Sequence, residues 1–316
     1  MSAHVAWPLV GHAFAEDTFI TAVSSERLHH GWLIEGPSGI GKALIAKRMA
    51  ATVLGAKTDK NSMNASPTDP VVQKVIADGH PDFRWIHRRP DDKGKIKQDI
   101  PVDTIRELNH FFALKPALGG WRVGVIDSLD ELNVSGANAL LKTLEEPPYK
   151  CLIILVSHNT KPVLPTIRSR CRVLRLDKLT NEDTETVLKL ISTDGAVDPA
   201  AKDLAEGRPG RGAQLSSPAG LAALNATRNF LNGLPRPSDA SLGQAIALGG
   251  TDETAFEAMG HAVLSWLEKK TDEEPDMSTT WLKCSKLLAE VRELNMDYGQ
   301  AAAKLIAALQ NDLKAS

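Results

Sequence analysis

Short apolar runs alternate with helical stretches over residues 1–178 of this 316-residue chain. The runs Trp32–Glu35, Asp82–His87, Arg122–Asp127, Cys151–Val156 and Arg172–Leu176 predict strands. Between them, residues 42–54, 101–114 and 134–146 carry apolar positions at helical spacing. Strands alternating with helices predict a parallel sheet with crossover helices. The polar stretch 55–70 and the charged stretch 88–99, with Gly94 at its centre, predict loops.

Past residue 178 the strand signal stops. Thr180 with Asp183 three residues later marks a helix start, and Val187, Leu188 and Ile191 follow at helical spacing. The run Gly207–Gly212 predicts a break. From about residue 217 every segment reads as helix. Ala255, Met259, Val263 and Leu267 fall four apart, Leu282, Leu288 and Val291 continue the stripe with small drifts, and Leu305, Ile306, Leu309 and Leu313 close it. The pattern predicts an α/β domain at 1–178, a small helical domain at 179–216 and a helical C-terminal domain at 217–316. There is no internal repeat.

Composition narrows the classes. The chain is 42% hydrophobic, enough for a sizeable core, which excludes disorder and collagen. The 37 Lys and Arg against 39 Asp and Glu exclude a bulk polycation while leaving room for a local basic groove. The first basic residue is Arg27, so residues 1–26 lack the basic start of a secretory signal. The longest apolar run, Cys151–Val156, is far shorter than the ~20 residues of a membrane span. Cys151, Cys171 and Cys284 are too scattered for a disulfide framework or a metal cluster and read as core residues. A cytoplasmic protein with no membrane contact is expected, in which the glycosylation-type triplets at Asn64, Asn133 and Asn225 have no meaning.

The sharpest motif follows the first strand. Gly36, Pro37, Ser38, Gly39, Ile40, Gly41, Lys42 and Ala43 match a glycine-rich phosphate loop that opens a helix. In such a loop successive backbone N–H groups face one centre, and the helix N-terminus adds positive potential. Lys42 would reach the β- and γ-phosphates. The competing reading is an ordinary glycine-rich strand–helix turn. Where the motif takes Ser or Thr to bind Mg²⁺, this chain has Ala43, whose methyl group cannot ligate a metal. The apolar strand Val123–Asp127 supplies the second nucleotide element, with Asp127 placed for Mg²⁺.

Further residues resemble the bacterial clamp-loader subunits of the AAA+ family. They are Ala139–Pro148, with its Leu-Glu-Glu-Pro-Pro end, and Leu164–Cys171, with its Ser-Arg-Cys run. Gly11-His12, Leu28–Leu33 and Gly79–Asp82 strengthen the likeness, which is dense over residues 7–178 and looser over Gly207–Leu215. The resemblance implies an AAA+ module, a helical lid and a C-terminal collar. It implies work within a clamp-loader complex with gamma/tau and delta subunits, loading a sliding clamp onto primed DNA. In hydrolysing AAA+ relatives a Glu follows the strand-end Asp and polarises the attacking water. Here Ser128 follows, and Asp130 and Glu131 stand two and three residues further on. A missing general base typically costs 10²–10⁴-fold, so ATP or ADP is expected to bind with little or no hydrolysis, as in the family's non-hydrolysing member. Arg170 of the Ser-Arg-Cys run is implied to act in trans as an arginine finger on a neighbour's ATP. Its alternative is a structural arginine paired to a local carboxylate such as Asp177. Arg211 resembles the lid arginine that senses nucleotide, beside the reading of an ordinary loop arginine. Relatives often carry a four-cysteine zinc module near 55–80; no cysteine stands there, and no zinc is expected.

Other features divide between sharp and plain readings. Arg88, Arg89, Lys93, Lys95 and Lys97 suit DNA phosphates or a solvated face diluted by Asp91, Asp92 and Asp99. His29 and His30 read as packing or surface residues. The rival function is an independently active AAA+ ATPase, against which Ala43 and Ser128 speak. A nucleotide kinase is the third reading, disfavoured by the all-helical C-terminus.

Overall fold

Five strands form one fully parallel sheet in the order β2-β3-β4-β1-β5. They are β1 (Gly31–Glu35), β2 (Phe83–Ile86), β3 (Arg122–Asp127), β4 (Cys151–Ser157) and β5 (Arg172–Arg175). This computed structural model describes residues 7–89, 99–158, 162–192, 199–273, 276–294 and 296–315. Every residue of β1 and β4 is buried, as expected of inner strands covered on both faces. Alternate side chains serve opposite faces. Trp32, Ile34, Ile154 and Val156 pack with Phe19 of helix α1 (Ala13–Ser24) and with Ile45 and Met49 of α2 (Lys42–Val53). Leu33, Ile153 and Leu155 pack with Ile105, Leu108 and Phe112 of α4 (Val102–Ala113) and with Leu140 and Leu144 of α5 (Val134–Glu145). Parallel strands end at a common edge, so the phosphate loop after β1, Asp127 at the end of β3 and His158 after β4 gather there.

The five predicted strands and three predicted helices are found with small shifts at their ends. Three helices went unread. They are α1, α3 (Pro70–Ile76), whose N-cap Asp69 accepts the Val71 and Val72 N–H groups, and the single turn α6 (Pro165–Arg168). The predicted break at 207–212 is narrower than its glycines suggested. Gly207 turns the chain, and Pro209 opens α9 (Pro209–Leu215), because a proline fits the first helical position, where no N–H is needed. Thr180 does cap α7 (Asn181–Ile191), accepting the Asp183 N–H. Residues 90–98 of the charged stretch, with Asp91, Asp92, Lys93, Lys95 and Lys97, lie outside the described residues. So does the side chain of Leu313.

Residues 1–196 with 207–210 form one compact unit, and residues 197–206 with 211–316 form another. The second unit is helical. It contains α8 (Pro199–Ala205), α10 (Pro218–Asn232), α11 (Asp239–Gly249), α12 (Glu253–Glu273), α13 (Met277–Leu294) and α14 (Tyr298–Ala315). Its core gathers Leu224, Phe230, Met259, Val263, Leu267, Leu305 and Leu309. Leu282 does not join it, being 64% exposed; Met277, Thr280, Cys284 and Val291 form the buried face of α13 instead. Leu287 and Leu288 pack against the same core, partly buried. Cys151 and Cys284 are buried and Cys171 is half-buried, and burial pushes their thiols up to about 12, 11 and 12 respectively, leaving them protonated. Among the described residues no helix is long and apolar enough to cross a membrane. The first unit has the α/β architecture with a parallel sheet and a phosphate loop after β1 that the sequence predicted.

Candidate nucleotide-binding site

The phosphate loop bridges β1 and α2. At Gly36, with φ of +152°, an added Cβ would stand 2.3 Å from the Leu176 carbonyl oxygen, so only glycine lets the loop leave the sheet beside β5. The residue before α2, Gly41, offers no side-chain cap, so the first N–H groups of α2 receive none from it, and nothing lies within 4 Å of where its Cβ would be. Those open donors and the positive end of the helix suit phosphate oxygens. Gly210 closes on the loop from the other side. Its N–H donates to the Gly39 carbonyl at 2.8 Å, and a Cβ there would press on Gly39 at 3.1 Å. His12 Nε2 bonds the Ile40 carbonyl at 3.0 Å. Burial, partly offset by this bond, lowers the His12 pKa.

Lys42 is 3% exposed. Its ammonium donates to the carbonyl oxygens of Gly36 at 2.7 Å and Pro37 at 2.5 Å. Burial lowers its pKa to about 8, against the opposing pull of Asp127 and Asp130, so at neutral pH it keeps its charge. Ala43 follows on α2 and brings only a methyl group. Burial raises the pKa of Asp127, while Lys42 is the largest charge holding it down. Lys42 and Asp127, named from separate motifs, therefore share one electrostatic environment.

The residues after Asp127 are committed elsewhere. Ser128 is buried, and its hydroxyl has no hydrogen-bond partner among the described residues. Asp130 accepts the His158 backbone N–H at 2.7 Å and the Ser157 hydroxyl at 3.1 Å. Glu131 pairs with Arg88 at 2.8 Å. Its pKa is raised by burial, against the pull of Arg88. His158 Nε2 stands 3.7 Å from Asp127 Oδ1. Burial, with help from the Lys42 charge, drives the His158 pKa to about 4, so at neutral pH this contact joins a neutral ring to a carboxylate and is no ion pair. His158, Asp130 and His12 were not read from the sequence as parts of the site. The only signal was position: His158 ends an apolar strand, and His12 follows Gly11.

Arg170 lies on the turn between α6 and β5. Its Nη2 meets Glu145 Oε1 at 2.8 Å, and its Nη1 donates to the Thr166 carbonyl at 2.8 Å and the Ser169 hydroxyl at 3.3 Å. The local carboxylate is therefore Glu145 at the end of α5, and not Asp177, the example given for the alternative reading. Two residues earlier, Arg168 is ion-paired to the buried Glu35, the last residue of β1, whose other oxygen lies 3.7 Å from Arg175 Nε. Arg211 sits on α9, not on a loop. It belongs to the second unit, where it pairs with Glu206 at 3.0 Å and approaches His261 Nδ1 at 3.4 Å. Among the described residues no group of three or more His, Cys, Asp or Glu is arranged to hold a metal ion.

Comparison with known proteins gives these residues a family. The chain is 37% identical over 142 residues to the DNA polymerase III subunit delta' of Pseudomonas aeruginosa, covering 45% of this chain and 41% of that one. It is 31% identical over 187 residues to the DNA polymerase III subunit gamma of Buchnera aphidicola subsp. Schizaphis graminum, covering 59% and 49%. The match thus spans less than half the length of either relative. Among solved structures, a DNA polymerase III gamma subunit-related protein from Thermotoga maritima aligns over 93% of this chain and 98% of its own, at 16% identity and a TM-score of 0.48. A family model described as "DNA polymerase III, delta subunit" matches residues 11–180, more than half of the chain, and the chain therefore belongs to that family.

Proposed function

We propose that this chain is the delta-prime-type subunit of a DNA polymerase III clamp loader, an AAA+ subunit that holds nucleotide phosphates without cleaving them and lends Arg170 to a neighbour. The observation that carries the proposal is the set of residues around Asp127. Ala43 brings no metal ligand, Ser128 brings no base, and the nearest carboxylates, Asp130 and Glu131, are held by His158 and Arg88. The similarity to a delta' subunit supports the same reading, and the similarity to a gamma subunit supports the clamp-loader class as a whole.

In this reading the N–H groups at the start of α2 and the ammonium of Lys42 bind ATP or ADP phosphates, with Gly36–Ala43 as the cradle. Asp127 lies beside Lys42, and the nucleotide supplies phosphate charge alone. Residues 179–216 are the lid, whose Arg211 has the nucleotide-sensing role that the resemblance implies, and residues 217–316 form the collar that meets gamma/tau and delta. The complex opens the sliding clamp on primed DNA, in the cytoplasm. Arg170 presents its guanidinium to ATP on the adjoining subunit, where such a group is worth about 10³–10⁵ in rate when it is the sole finger. Co-expression with gamma/tau and delta tests the assignment. Size-exclusion chromatography is expected to recover one complex containing this chain. A chain that elutes alone at micromolar concentrations of all partners contradicts it.

A further inference from the structure

The guanidinium of Arg170 has five N–H donors, and the structure accounts for three. Both Nη1 hydrogens have acceptors, the Thr166 carbonyl and the Ser169 hydroxyl, and one Nη2 hydrogen faces Glu145. The Nε–H and a second Nη2–H remain. Thr166 and Ser169 belong to the turn that carries Arg170 itself, so they move with it. Among the described residues, Glu145 is the one acceptor from outside that turn. It ends α5, and the carbonyl of its neighbour Leu144 is bonded at 2.9 Å by His30 Nε2, from the residue just ahead of β1. The turn is anchored a second time by Arg168 on Glu35, at the other end of β1. Arg170 is thus referenced to β1 through two carboxylates, yet its side chain stays 35% exposed.

We infer that Glu145 is a positioning residue for Arg170: it holds the guanidinium in one orientation, so that the two remaining donors face outward as a fixed pair before a neighbouring subunit arrives. This deepens the proposed trans role of Arg170 and rests on it. A long side chain fixed in advance loses less freedom when it meets a phosphate. A partly exposed ion pair holds it only weakly, so the expected effect is modest. Glu145 touches no nucleotide itself.

The test uses the reconstituted complex with gamma/tau, delta and primed DNA, and reads kcat and KM for ATP. Glu145→Ala is expected to lower kcat about threefold at unchanged KM. Glu145→Gln, which keeps an acceptor oxygen and the side-chain volume, is expected to recover part of that loss. Adding Glu145→Ala to Arg170→Ala is expected to cost nothing further, a non-additivity that a general structural role would not produce. If Arg170→Ala alone leaves kcat unchanged in an intact complex, the trans reading falls and this inference with it. If Arg170→Ala lowers kcat while Glu145→Ala leaves it unchanged or raises it, the trans reading stands and the inference is overturned. Additive losses in the double variant overturn it as well.

Discussion

The Asp130 carboxylate accepts the backbone N–H of His158 at 2.7 Å, tying the turn after β3 to the end of β4 at the edge of the sheet where the phosphate loop emerges. The same carboxylate takes the Ser157 hydroxyl. A group spent on two donors is poorly placed to activate water, which supports the proposed absence of hydrolysis. Replacing Asp130 by Ala should destabilise the chain by about 1–3 kcal/mol, because a half-buried N–H and a buried hydroxyl lose their acceptor. Asn, which keeps an acceptor oxygen, should cost less. Urea unfolding of both variants measures the difference.

His158 makes stability depend on pH. Its folded pKa, about 4, lies below the ordinary 6.5, because burial and the Lys42 charge oppose protonation. Between those values the unfolded chain takes a proton that the folded chain refuses. Stability from this group is therefore complete above pH 6.5 and falls as the pH drops towards 4. His158→Gln should flatten that part of the profile. Urea midpoints of both proteins from pH 7 to 4.5 give the comparison, and equal slopes would contradict it.

Lys42 sets an opposite limit at alkaline pH. With its pKa lowered to about 8, the free chain loses the ammonium charge as the pH passes that value. Bound phosphate favours the charged form, so ADP affinity should fall above pH 8 by up to about tenfold per pH unit. Lys42→Met should bind more weakly at pH 7 and show no such slope. Calorimetric titration with ADP between pH 7 and 9 reads both effects.

Much of this was legible in the sequence, for a physical reason. The phosphate loop is eight contiguous residues whose meaning lies in their order, and β1, β3 and β4 have apolar centres because both faces are covered. Ala43 and Ser128 stand out by contrast with that local pattern. The contacts that commit the site's side chains are of another kind. Asp130 meets the backbone N–H of the residue after β4, Arg168 on α6 meets Glu35 at the end of β1, and Arg170 meets Glu145 on a preceding helix. No spacing rule announces such pairs, since the fold alone brings them together. Asp177 looked like the partner of Arg170 because it is near in sequence, but β5 intervenes and carries it past the turn. Helix α1 lacks a polar cap: His12, at its N-cap, turns its ring to the Ile40 carbonyl, so the helix start has no sequence signature.

The central claim is that this phosphate loop holds nucleotide without cleaving it. Steady-state ATP turnover by the purified chain, with and without primed DNA, tests it most directly when measured beside Lys42→Ala. The account predicts equal background rates for both proteins, unchanged by DNA. Turnover that primed DNA stimulates and Lys42→Ala abolishes would contradict it.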